Sequence, residues 1–141
     1  MKKILSIVFF GLIITSNCMA YEEANYKVVK KNNIYEIRKY SDRLVIETSI
    51  SNESSSFRKL FNYISGNNDK NEEIKMTTPV TQVEKKGNMT MQFYLPSKFN
   101  KENIPSPSNP DVKILNIKGG YYAVIRYSGR ASDKNFTKHK S

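Results

Sequence analysis

An α+β fold, antiparallel strands with one amphipathic helix laid on the sheet, follows from three observations in this 141-residue sequence. Residues 89–95 alternate strictly. Met89, Met91, Phe93 and Leu95 fall on one face and Thr90, Gln92 and Tyr94 on the other, the period of two that marks a half-buried strand. Residues 44–50 repeat this pattern, with Leu44, Ile46, Thr48 and Ile50 sharing a face. Phe57, Leu60, Phe61 and Ile64 instead recur at i, i+3, i+4 and i+7, one face of an α-helix.

The chain opens on Lys2-Lys3, an apolar run over residues 4–14, and polar and small residues up to Ala20. This is the layout of a signal peptide, residues 1–20. The run is too short for a bilayer span, which takes about 20 apolar residues. Cys18-Met19-Ala20 resembles a small-x-small cleavage site, so the mature chain is expected to start at Tyr21 and to be exported to a periplasm or the extracellular space. Lipoprotein anchoring at Cys18 is the poorer reading, because Asn17 and Thr15 stand where such a site takes a small residue and a leucine. Loss of Cys18, the single cysteine, leaves a chain that needs no disulfide.

Residues 21–141 are expected to form a single domain. Residues 21–33 read as a polar, basic arm, 34–40 as a strand, Ser41-Asp42 as a turn and 44–50 as a second strand. Residues 52–56 are rich in helix-starting side chains, and Gly66 suits the left-handed residue just past a helix end. Phe57 and Phe61 have two readings: core packing against the sheet, or one wall of an apolar ligand cleft. Residues 73–80 alternate through Ile74 and Met76 until Pro79, which cannot donate to a ladder and predicts an edge, kink or bulge. Residues 84–88 form a turn, and Pro105, Pro107 and Pro110 make 96–110 an extended connector. Residues 112–117 and 121–127 are expected to close a hairpin around Gly119-Gly120. Ala131-Ser132-Asp133 then begins a short second helix with Phe136 on its inner face, so that the order strand, turn, strand, helix of residues 34–64 starts again at Val112.

The composition, 38% hydrophobic and 26% charged, is that of a folded globular chain. The formal net charge of +10 falls to +8 without Lys2 and Lys3, but the lysines are spread out and no nucleic-acid motif accompanies them. The charge therefore reads as a solubilising surface with some attraction for anions. Catalysis has little to stand on. His139 is the one histidine, too few for a metal cluster or a triad; the acidic residues do not group, and no phosphate-binding glycine loop is present. The expectation is a binding protein with no metal cluster, not an enzyme.

Four motifs, in order, carry a resemblance. Lys75-Met76-Thr77-Thr78-Pro79-Val80 resembles the K-M-T-x-P-V signature of the SOUL/heme-binding protein family. Tyr35-Glu36-Ile37-Arg38-Lys39-Tyr40 precedes it; Met91-Gln92-Phe93-Tyr94-Leu95-Pro96 and Tyr122-Ala123-Val124-Ile125-Arg126-Tyr127-Ser128-Gly129 follow. The resemblance implies a distorted antiparallel β-barrel of pseudo-twofold design, and heme or a related tetrapyrrole as ligand. On that reading Phe57, Phe61 and Ile64 form the wall of the cleft, and Arg58 and Arg126 meet the propionates, since arginine binds carboxylates bidentately. Met76 is a candidate axial ligand, with core packing as its plainer role. Family members continue for several dozen residues beyond Ser141, so this chain reads as a C-terminally shortened member with an incomplete second repeat. Such a chain would expose a sheet edge and self-associate through it. The alternative is a truncated remnant of a SOUL-family gene with little ligand function.

Overall fold

The computed structural model describes residues 21–126 and Lys138. The expected leader with Cys18, the second helix near Asp133 with Phe136, and His139 lie outside them. The described chain is α+β: the helix α1 (Glu53–Ile64) and the strands β1 (Glu22–Glu23), β2 (Tyr26–Lys31), β3 (Tyr35–Tyr40), β4 (Arg43–Ser49), β5 (Thr77–Thr78), β6 (Val80–Lys85), β7 (Asn88–Tyr94), β8 (Lys113–Ile117) and β9 (Gly120–Ile125). β6-β7-β4-β8 form one antiparallel sheet and β2-β3-β9 a second, while β1 and β5 make a short parallel pair.

α1 forms because both of its ends are chemically closed. The Asn52 side chain accepts from the Ser55 N–H at 3.1 Å. At the other end Gly66, at φ +102°, takes the left-handed position; its N–H donates to the Tyr63 carbonyl and that of Asn67 to the Asn62 carbonyl, a Schellman closure. The helix packs on β4 and β7. Its buried face is Ser56, Leu60, Tyr63 and Ile64, not the expected Phe57, Leu60, Phe61 and Ile64. The helix is turned so that Tyr63 goes inward, where its hydroxyl donates to the Pro105 carbonyl at 2.7 Å. A phenol can be buried at that position because the 96–110 segment supplies an acceptor. That segment is more than a connector: Phe99 and Pro105 are buried in it and Ile104 packs on the core. Ile46, Leu60, Ile74, Met91, Phe93 and Val112 complete the core between helix and sheet.

The expected hairpin of residues 112–117 and 121–127 is not what forms. β8 pairs with β4, and β9 pairs with β3 in the other sheet. The register is the same on both sides of the crossing: Arg43 faces Ile117 and Tyr40 faces Gly120. β3–β4 and β8–β9 are thus one long antiparallel ribbon bent at Ser41-Asp42 and Lys118-Gly119. Gly119 sits on the inside of the bend, where a Cβ would lie 2.6 Å from the Tyr40 carbonyl oxygen. Asp42 ties the corner, accepting from the Gly119 N–H at 2.8 Å, Asn116 Nδ2 at 3.1 Å and Lys118 Nζ at 3.1 Å. These donors, the backbone N–H first, hold its carboxyl down at about 2. Gly119 is therefore required by close approach rather than by a tight hairpin turn.

The bent ribbon curls as a barrel wall does, but among the described residues neither sheet closes into a barrel. β6, β8, β2 and β9 are sheet edges with one ladder partner each. Pro79 does break the 73–80 segment as expected, standing between β5 and β6 after a cis Thr78–Pro79 bond. The β6–β7 turn carries Lys86 at φ 51° and Gly87 at φ 80°, the two positive dihedrals of a two-residue type I′ loop.

Candidate functional site

With Tyr63 turned inward, Phe57 and Phe61 are left on the flank of α1. They stay 37% and 45% exposed. Their rings stack at 6.0 Å between centroids with planes 14° apart, and Phe57 also meets Phe93 edge-on at 5.1 Å. With Glu53, Ser54, Arg58 and Met91 they line an open groove of about 500 Å³ beside the helix. That volume falls within the range of small-molecule sites. Arg58 is exposed and has no hydrogen-bond or ion-pair partner among the described residues. Glu53, at the other end, accepts from Gln82 Nε2 at 3.2 Å.

The five residues expected at the site are not brought together. Phe57, Arg58 and Phe61 share the groove. Ile64 is buried in the core beneath the helix. Arg126 follows β9 on the three-stranded sheet and lines other cavities. Met76 packs partly buried against the core, in keeping with its plainer role. Met91 and Glu53 were not anticipated. Met91 was legible as a core residue of an alternating strand, but its share in the groove depends on which helix flank lies above it.

The groove's chemistry suits a flat apolar ligand bearing carboxylates. Two near-parallel phenyl faces can stack on a ring system, and an unpaired guanidinium beside them can take a carboxylate. The groove offers no imidazole or thiolate, and among the described residues no group of three or more His, Cys, Asp or Glu could hold a metal ion. A tetrapyrrole would be held here by its ring and propionates, with the Met91 thioether as the one soft donor in the lining.

The family model described as SOUL heme-binding protein matches residues 21–141. This chain belongs to the SOUL family. Among curated proteins it is similar to Heme-binding protein 2 of Homo sapiens, 34% identical over an alignment of 93 residues, which covers 57% of this chain and 45% of the relative. Heme-binding protein 2 of Mus musculus matches with the same identity and coverage. The matched segment thus spans less than half the length of these relatives.

Proposed function

We propose that this protein binds heme or a related tetrapyrrole, without catalysing a reaction, in the groove of Phe57, Arg58, Phe61 and Met91. The observation that carries this reading is the pair of stacked, exposed phenyl rings on a helix whose other large apolar side chains are all buried. An exposed aromatic pair beside an unpaired arginine is the kind of surface that monomeric proteins keep for a partner or a ligand. Family membership and the name of the relatives, Heme-binding protein 2, favour a tetrapyrrole among flat apolar ligands. A titration of the purified protein with heme, followed by the Soret band and circular dichroism together, tests it. Phe61→Ala should weaken binding about tenfold, the equivalent of about 1.4 kcal/mol of lost stacking. Arg58→Gln should weaken it less, because an exposed charge contributes little. Unchanged affinity in both Phe57→Ala and Phe61→Ala would reject the groove.

Export belongs to the same reading, supported by the basic, apolar and small-residue regions of residues 1–20. N-terminal sequencing of the mature protein is expected to read Tyr-Glu-Glu-Ala; an acylated Cys18 start would replace cleavage by anchoring. Self-association is supported by the edges of β6, β8, β2 and β9, which lack a second ladder partner among the described residues. Sedimentation should show species larger than a monomer at high concentration. A strict monomer with a sharp thermal transition and no binding of apolar dyes would overturn it.

A further inference from the structure

The face of the four-stranded sheet opposite α1 looks across a cleft at the three-stranded sheet. The cleft holds about 380 Å³ and is lined from both sheets, by Thr81 and Tyr94 on one side and Tyr26, Tyr40, Tyr122 and Val124 on the other. Arginines alternate with these rings. The Arg38 guanidinium lies 4.1 Å from the Tyr26 ring centre, and that of Arg43 lies 4.2 Å from Tyr40 and 4.6 Å from Tyr94. Tyr26 and Tyr40 pack at 5.3 Å, and Tyr40 and Tyr122 at 5.6 Å edge-on.

The two inner arginines differ in one respect. Arg38 is satisfied, with its Nη2 2.7 Å from the Glu36 carboxylate and its Nη1 donating to the Tyr40 hydroxyl at 3.4 Å. Arg43 is not. Its guanidinium lies against the Tyr40 and Tyr94 rings and makes no hydrogen bond or ion pair among the described residues. Nε is buried with no acceptor, the one such orphan side-chain atom among the described residues. A buried charged donor without an acceptor costs more than a neutral one, and native structures satisfy such groups. The local charge adds to this. Arg38, Arg43 and Arg126 line the cleft against a single carboxylate, Glu23. The Tyr26 and Tyr94 hydroxyls make no hydrogen bond among the described residues and are further free donors.

We propose that this inter-sheet cleft is a second ligand site, for a small molecule that presents a carboxylate or phosphate to Arg43 and lays a flat body against the tyrosine rings. The oxyanion accepts from the terminal N–H donors of Arg43 in the bidentate geometry that guanidinium favours, Nε itself being closed off from the cleft, and Arg126 at the rim adds charge. The site lies on the other side of the sheet from the Phe57–Phe61 groove and does not depend on tetrapyrrole binding there.

The test is a nuclear magnetic resonance titration of the isotope-labelled protein with three probes: benzoate, phenyl phosphate and the neutral benzyl alcohol. The Arg43 Nε–H resonance should shift saturably with benzoate, phenyl phosphate or both, which also tells carboxylate from phosphate, and should not move with benzyl alcohol. Arg43→Gln should weaken binding of the active probe by about tenfold or more, as expected for a lost charge-assisted hydrogen bond. Arg126→Gln, at an exposed position that spares the fold, should weaken it less, and Arg58→Gln in the other groove should leave it unchanged. No saturable shift with either anion, an equal response to benzyl alcohol, or full affinity in Arg43→Gln would overturn the proposal.

Discussion

Leu60 and Phe61 are adjacent in sequence but belong to different surfaces. Leu60 is fully buried against the sheet, whereas Phe61 shows nearly half its area to solvent. Leu60→Ala should therefore destabilise the protein by about 2–5 kcal/mol through lost burial and a cavity. Phe61→Ala should cost roughly 1 kcal/mol, the part of its ring contact that is covered. Chemical denaturation of both variants measures this, and equal losses would put Phe61 back in the core. Glu47 is a second residue whose role is set by its neighbours. It lies buried on the sheet face opposite α1 and accepts from Lys85 Nζ, Gln92 Nε2 and Thr90 Oγ1. Burial pushes its carboxyl up, but Lys85 and Gln92, with Thr90 behind them, outweigh it and hold the group below its ordinary value of 4.5. A carboxyl depressed in the folded state contributes stability above its unfolded pKa, and that contribution is lost as pH falls through the folded value. The melting temperature should thus drop between pH 5 and pH 3, as expected for carboxyls of unfolded pKa about 4. Glu47→Gln should flatten part of that drop, leaving the share that comes from Asp42, Glu36 and Asp111, whose carboxyls are also held down; an unchanged pH dependence would count against the Glu47 cluster.

The decisive element is the bent ribbon. Two strands that look in sequence like a hairpin around Gly119-Gly120 instead run past each other into different sheets, each paired with one arm of β3–β4. The bend is tight enough that a methyl group on Gly119 would meet the Tyr40 carbonyl oxygen, the Ser41 carbonyl carbon and the Asp42 nitrogen, all within 3 Å and all backbone. Backbone cannot swing aside as a side chain can, so Gly119→Ala should cost about 1–3 kcal/mol of overpacking. Guanidinium unfolding would show it, and a variant as stable as the parent would mean that the corner opens without cost. Strand β7 makes a related point. Its alternation is real, yet both faces are covered, with Gln92 on the polar face only 2% exposed. It lies between β6 and β4, and the carboxylate of Glu47 and the stem of Lys85 close over the polar side.

Over the whole molecule, stability is concentrated where burial is. β4 and β7 lie at the centre of the four-stranded sheet under α1, whereas all six residues of β2 are exposed at the edge of the other sheet. Hydrogen exchange should find the slowest amides in β4 and β7 and fast exchange along β2, because local opening is cheapest where few apolar contacts break. Uniform protection across both sheets would contradict this distribution. No helix among the described residues is long and apolar enough to cross a membrane.

The sequence by itself determined the class of fold, the strands β3, β4, β7, β8 and β9 within a residue or two, the span and caps of α1, the break at Pro79 and the family; it missed β1 and β2, which form in the expected arm of residues 21–33, and β6. The features it did determine are local matters. Periods of 2 and 3.6, a capping asparagine, a left-handed glycine and a proline without an N–H act over a few neighbouring residues and can be read from them. The tertiary structure alone decided which flank of α1 faces inward, since Tyr63 is burial-competent only when the distant Pro105 carbonyl lies above it. It alone decided that residues 113–117 and 120–125 part company, because the ladder of β3–β4 was available to both. And it alone gathered Tyr26, Arg43, Tyr94 and Tyr122 around one cleft: they come from four strands, and no spacing in the sequence records contacts that strand pairing and sheet packing create.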